Sequence, residues 1–198
     1  MQKIEQSLYA NHYHVINVDY PSRDYSIEEL SEMAIPLGLE QCTHKEVNFV
    51  THSLGGILLR QYLSRHDIPH LNRVVMLGPP NQGSEVVDRM RDVPGFAFIN
   101  GKAGLQLGTN KDSVPNRLGK AEFDLGVIAG SRSINLILSL LIPGNDDGKV
   151  SIERTKVDGM NDHIVIPTTH TFMMRNKQVI SQISYYLEHG KFIKESKH

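Results

Sequence analysis

The sequence predicts an α/β sandwich on a mainly parallel sheet, and three observations predict it. Short β-branched runs alternate along the chain with longer segments of helical period. No low-complexity stretch interrupts that alternation. The 198 residues suit one domain, 1–198, large enough to bury a core. In such a βαβα arrangement ligands bind at the carboxyl ends of the strands, so polar residues just beyond a predicted strand carry most of the functional information.

The elements follow in order. A first helix covers about residues 2–8. The run HVINVDY, residues 14–20, is a strand that Pro21 stops by denying the ladder a donor. Ser26 and Glu29 have capping-box spacing, each able to satisfy a free amide of the other, and open a helix that ends near Pro36-Leu37-Gly38. Residues 47–50 form the next strand, 54–64 a helix and 73–77 a strand. The rigid loop GPPNQGS, residues 78–84, leads into another helix. Strands over 124–129 and 163–166 follow, and residues 177–187 close the chain as an amphipathic helix with Val179, Ile180, Ile183 and Leu187 on one face.

Composition removes several functional classes. A hydrophobic content of 39%, a charged content of 22% and a net charge of −1 give no basic excess to draw the chain to nucleic acid or anionic lipid. The single cysteine, Cys42, excludes an internal disulfide framework and lacks the partner thiols of a metal site, so it reads as structural. The opening MQKIEQSLYANHYHV has neither the charged nor the apolar region of a signal peptide. No apolar run approaches the roughly 18 residues of a membrane span, so a cytoplasmic location is expected. The longest apolar segment, INLILSLLIP over residues 134–143, is too short to span a bilayer, ends at a proline and is expected to be buried.

The stretch NFVTHSLGGILLR, residues 48–60, places Ser53 after a buried strand and directly before a helix. A nucleophile at so sharp a turn needs small neighbours two residues to either side, as in G-x-S-x-G. Thr51 and Gly55 fill those places here. The helix behind Ser53 aims free amides and a positive dipole end at it, and the Leu54 amide is the expected oxyanion donor. The competing reading is that Ser53 merely caps its helix.

A serine hydroxyl needs a histidine base and a carboxylate to orient that base, in the chain order Ser, acid, His. His170, in PTTHTF, follows the strand HIVIP and precedes the last helix, which sets it at the same sheet edge as Ser53. His163 lies at the far end of that strand. His52 adjoins the serine, with its ring expected to face away from the pocket. For the acid, Asp147 in the turn-rich loop NDDGKVS is the candidate, with Asp146 and Asp162 as competitors. That loop fails as an EF-hand, because no glutamate closes a set of alternating oxygen ligands. No metal site and no cofactor is expected.

These motifs, in this order, resemble the α/β-hydrolase superfamily, specifically its bacterial lipase and esterase branch, which is also similar to the eukaryotic GPI inositol-deacylase group. The resemblance rests on VINVDYPSR, FVTHSLGGILLR, VVMLGPPNQGSE, VIAGSRS, DDGKVS and PTTHTFMMRN, and covers almost the whole chain. It implies a three-layer α/β-hydrolase sandwich with Ser53 as nucleophile, Asp147 as acid and His170 as base. It also implies an active-site wall from Gly78 to Gln82, with Pro80, Asn81 and Gln82 as substrate-binding residues. The family has an earlier strand ending in a His-Gly loop, which supplies the second oxyanion amide and lies between the counterparts of residues 14–20 and 47–50. This sequence shows neither, so the resemblance implies an N-terminally shortened version of the fold.

The expected activity is hydrolysis of a carboxylic ester, lipid-like or small, through an acyl-enzyme. Residues 93–120, which contain GFAFINGKAGLQLG, sit where a cap would be. A catalytically impaired hydrolase-fold protein and an acyltransferase using the same residues are the alternatives.

Overall fold

Successive side chains of a strand point to opposite faces, and in the run Arg73-Val74-Val75-Met76-Leu77 both faces are apolar, which calls for cover on both sides. The computed structural model, which describes residues 1–43, 46–133 and 145–194 except for the side chains of residues 97–99, provides that cover. Strands β1 (Val47–His52), β2 (Leu71–Leu77), β3 (Leu125–Gly130) and β4 (Asp162–Ile166) lie in the order β1-β2-β3-β4, every pair parallel. Val75 and Leu77 point into a core closed by helix α1 (Gln2–Ala10) and the last helix. Val74 and Met76 point into a second core closed by α2 (Ile27–Glu40) and α3 (Leu54–Leu63). The result is three layers, helix, sheet and helix.

Along the chain α4 (Glu85–Met90), α5 (Phe96–Leu105) and α6 (Val114–Arg117) follow β2, and α7 (Ile152–Thr155) follows β3. A 3₁₀ turn (Met173–Arg175) leads to α8 (Lys177–His189), the last helix. Both ends of α8 are finished chemically. Asn176 accepts from the amides of Gln178 and Val179, and Gly190 closes the helix in the left-handed region at φ +68°. At α2 the expected capping box is present: the Ser26 amide donates to Glu29 Oε2 at 2.8 Å and the Glu29 amide to Ser26 Oγ at 3.2 Å.

Three expectations change. Helix α2 does not end at Pro36; it runs through the proline to Glu40. The missing amide costs it one internal bond, and the buried face of Ile27, Leu30, Ala34 and Ile35 holds it in place. Residues 14–20 form no strand. A strand exists only through a ladder, and the neighbour these residues face, β1, lies across a cavity of about 620 Å³. The segment at 93–120 is no cap over Ser53. Its Ala103, Leu107 and Val114 pack with Val87 onto Ile27, Leu30, Ile57 and Leu58 of α2 and α3. The apolar run at 134–143 lies outside the described residues.

Arg60 of α3 shows how the loop after β2 is anchored. Only 4% exposed, it donates to the carbonyls of Asn81, Pro115 and Gly119 and to Asn81 Oδ1. A buried cation needs such acceptors in place of water. Among the described residues no helix is long and apolar enough to cross a membrane.

Candidate active site

Strand β1 delivers Ser53 to the carboxyl edge of the sheet. The Ser53 amide still bonds the Leu77 carbonyl of β2 at 2.9 Å, and the next residue already starts α3. Passing from strand to helix within one residue forces Ser53 to φ 54°, ψ −122°, a region that costs a residue with a Cβ about 1–3 kcal/mol. The hydroxyl does not cap α3, so the capping reading fails. It lies 2.9 Å from His170 Nε2 instead.

His170 stands beyond β4, as its place after HIVIP requires. Its Nδ1 is 2.7 Å from Asp147 Oδ2, and its amide donates to the Asp147 carbonyl at 2.8 Å. Asp147 is 2% exposed, and its other oxygen, Oδ1, accepts from the amides of Lys149 and Val150 at 3.0 and 2.9 Å. Both carboxylate oxygens are therefore engaged in hydrogen bonds. The competing acids are elsewhere. Asp146 turns back on the Gly148 amide, and Asp162, at the start of β4, takes the amides of His163 and Phe192 and pairs with Lys194. His163 is turned to Thr155 Oγ1 at 3.1 Å.

His52 departs from expectation. Its ring lies against that of His170, centroids 4.7 Å apart, and its Nε2 is 3.0 Å from the His170 carbonyl. A carbonyl only accepts, so Nε2 carries the proton and donates. Burial, and then the neighbouring His170, push the His52 pKa from 6.5 down to about 4, which keeps the ring neutral. His52 is still paired with Leu77 of β2, yet it lines the cleft at Ser53 instead of facing away from it.

The wall predicted from Gly78 to Gln82 divides in two. Gly78, at φ +51°, lies under the His–Asp pair: a Cβ there would sit 2.9 Å from Asp147 Oδ2 and 3.1 Å from His170 Nδ1. Pro80, Asn81 and Gln82 do not line the cleft at Ser53. Asn81 is buried, accepting from Arg60 and donating to the Thr155 carbonyl, and Gln82 donates to the carbonyls of Glu153 and Lys156. The loop is drawn off by the anchorage to Arg60. The cleft, about 360 Å³, is lined around Ser53 and His170 by Tyr20, His52, Leu54, Lys149, Thr171 and Met174. Lys149 and Met174 carried no sequence signal as lining residues. The close approach of α3 to the sheet falls on Gly56, where a Cβ would come 3.1 Å from Met76 Sδ; at Gly55 it would meet Thr51 at an ordinary 3.6 Å. Among the described residues no group of three or more His, Cys, Asp or Glu is placed to hold a metal ion.

A parallel sheet between two helix layers, with a serine in a strained turn from strand to helix at its carboxyl edge, is the α/β-hydrolase fold. Solved structures share it. The mature form of the lipase BlEst2 from Bacillus licheniformis superposes with a TM-score of 0.70 at 17% identity, over 93% of this chain and 83% of that one. Phospholipase PlaB from Legionella pneumophila gives 0.63 at 17%, over 78% of this chain and 41% of that one. An esterase from Pyrococcus furiosus gives 0.57 at 18%, over 95% and 74%. No family model and no curated protein matches the chain in sequence.

Proposed function

We propose that the chain is a single-domain serine hydrolase that cleaves carboxylic esters, small or lipid-like, through an acyl-enzyme. The observation that carries the reading is the continuous relay Ser53 Oγ, His170 Nε2, His170 Nδ1 and Asp147 Oδ2, with gaps of 2.9 and 2.7 Å. The structural neighbours named as a lipase, a phospholipase and an esterase support an ester as the substrate.

In the proposed reaction Ser53 Oγ attacks the ester carbonyl while His170 Nε2 takes its proton. Asp147 keeps the Nδ1 proton in place and stabilises the imidazolium. The amide of Leu54, a first-turn amide of α3 with no carbonyl of the helix to bond, supports the oxyanion. The tetrahedral adduct collapses, His170 gives its proton to the leaving alcohol, and the acyl group stays on Ser53. Water then enters, His170 removes its proton, and the carboxylic acid leaves. An acyltransferase would substitute an alcohol for water in the second half.

A p-nitrophenyl ester of a short acid tests the reading. Hydrolysis falls more than about 10⁴-fold in Ser53→Ala, the loss seen when a working nucleophile is removed. Equal rates for parent and variant would refute the enzyme reading. A fluorophosphonate labels Ser53 in the parent and labels His170→Ala far more slowly; labelling at the same rate would refute His170 as the base.

A further inference from the structure

Among the residues that line the cleft at Ser53, Lys149 is the one lysine, arginine or carboxylate. Its backbone is tied to the proposed triad. The Lys149 amide donates to Asp147 Oδ1 at 3.0 Å, and its carbonyl accepts from Ser84 Oγ at 2.8 Å. Whatever holds Asp147 behind His170 therefore also holds the stem of Lys149 beside the cleft. Lys120, Lys156 and Lys194 are paired with carboxylates, whereas Lys149, exposed at the cleft, has no such partner among the described residues. Its charge reaches into the site, adding to burial and to His170 in disfavouring protonation of His52.

The rest of the lining is short of negative charge and rich in donors. His52 is neutral above about pH 4, and burial, with the neighbouring Asp19, raises the Tyr20 pKa above its ordinary 10. Asp19 itself is exposed and does not line the cleft. Asp147 is buried with both oxygens already engaged. Tyr20, Ser22 and Thr171 line the cleft, and no hydroxyl of the three has a hydrogen-bond partner among the described residues.

These groups select a substrate. An ammonium group set beside an alkyl chain loses hydration with nothing in return, whereas an anion accepts a charge-assisted bond from it and further bonds from the free hydroxyls. One cation balances one negative charge. A phosphate monoester carries close to two at neutral pH, a carboxylate or a phosphodiester only one. The volume of about 360 Å³ stands near the lower end of the roughly 300–1,000 Å³ of ligand pockets, which keeps the occupant small.

We propose that Lys149 makes the Ser53 cleft selective for a small ester carrying a single negative charge, a carboxylate or a phosphodiester, which the lysine ammonium and the unpartnered hydroxyls bind beside the scissile bond. The inference rests on the hydrolase reading for its chemistry, and its test reads binding as well as turnover.

The probes are para-acetoxybenzoate and methyl para-acetoxyphenyl phosphate, both monoanions, set against neutral para-acetoxybenzamide, each enzymatic rate being divided by that of the same ester with hydroxide. In the parent, kcat/KM for the better monoanion exceeds that for the amide by about five- to tenfold, the size of a partly exposed charge-assisted contact, and the difference lies in KM. Lys149→Met brings the ratio to about one, Lys149→Glu inverts it and Lys149→Arg keeps most of it. The monoanion that loses more on Lys149→Met identifies the group the cleft takes. Calorimetric titration of Ser53→Ala measures the same preference without turnover, and Ser53→Ala/Lys149→Met lacks it. A parent no faster than Ser53→Ala would end the hydrolase reading, while the titration still decides the role of Lys149. Equal binding of charged and neutral esters by Ser53→Ala, binding of neither, or a preference that Lys149→Met leaves intact overturns the proposal.

Discussion

His52 makes stability depend on pH in a window that few other groups share. Burial and the adjacent His170 lower its pKa from 6.5 to about 4. The unfolded chain takes up a proton near pH 6.5, and the folded chain resists until about pH 4. As pH falls through that window the unfolded state binds the extra proton and stability is lost; above pH 6.5 the loss is absent, and below pH 4 it grows no further. At about 1.36 kcal/mol per pH unit the loss comes to about 3 kcal/mol, a large share of a typical domain's total. The informative substitution is His52→Gln, whose amide still donates to the His170 carbonyl and does not titrate. Urea unfolding at pH 7, 6, 5 and 4, followed by far-UV circular dichroism because the chain has no tryptophan, gives the two stability curves. The parent loses about 3 kcal/mol more than the variant between pH 7 and 4. His163, lowered by burial and then by Lys156, adds loss of the same sign in both proteins and cancels in the comparison. Parallel curves for parent and variant would show that His52 is not held neutral, and the geometry drawn around it would be wrong.

Three further outcomes follow from the same structure. Gly78→Ala puts a Cβ 2.9 Å from Asp147 Oδ2 at a φ of +51°, so it lowers stability by about 1–3 kcal/mol, about 2–4 °C in melting temperature for each, and reduces kcat on the p-nitrophenyl ester. Asp147→Asn keeps the shape but can donate to Nδ1, which leaves the His170 proton on Nε2 where it blocks proton uptake; kcat falls about 10⁴-fold with little change in KM. Ser26→Ala removes one half of the capping box on α2 and costs about 1 kcal/mol, seen in thermal unfolding with ester hydrolysis unchanged.

Much of this arrangement was legible because it is local. A strand that must be apolar on both faces, a serine at its end and a helix after it are written in consecutive residues, and β1 to β4 fall within two residues of their expected bounds at every end. His170 and Asp147 were legible for a related reason: a parallel sheet gathers whatever follows its strands onto one edge. What failed depends on partners distant in the chain. Asn81 looked like a cleft residue until Arg60, 21 positions earlier, claimed its side chain and carbonyl. Residues 14–20 carry the composition of a strand, but a ladder also needs a neighbour, and their own composition says nothing of β1 lying a cavity away. Pro36 marked a boundary by its missing amide, and the buried face of α2 outweighed that one bond.

His52 joins the two halves of the molecule that the sequence kept apart. It ends β1 and lines both the cavity beside that strand and the cleft at Ser53. The same ring supports His170 by contact at 4.7 Å and by the bond to its carbonyl. A change that admitted water beside that ring would raise its pKa back toward 6.5 and shrink the acid-side loss of stability, a difference that the His52→Gln chain, having nothing to titrate there, would not show.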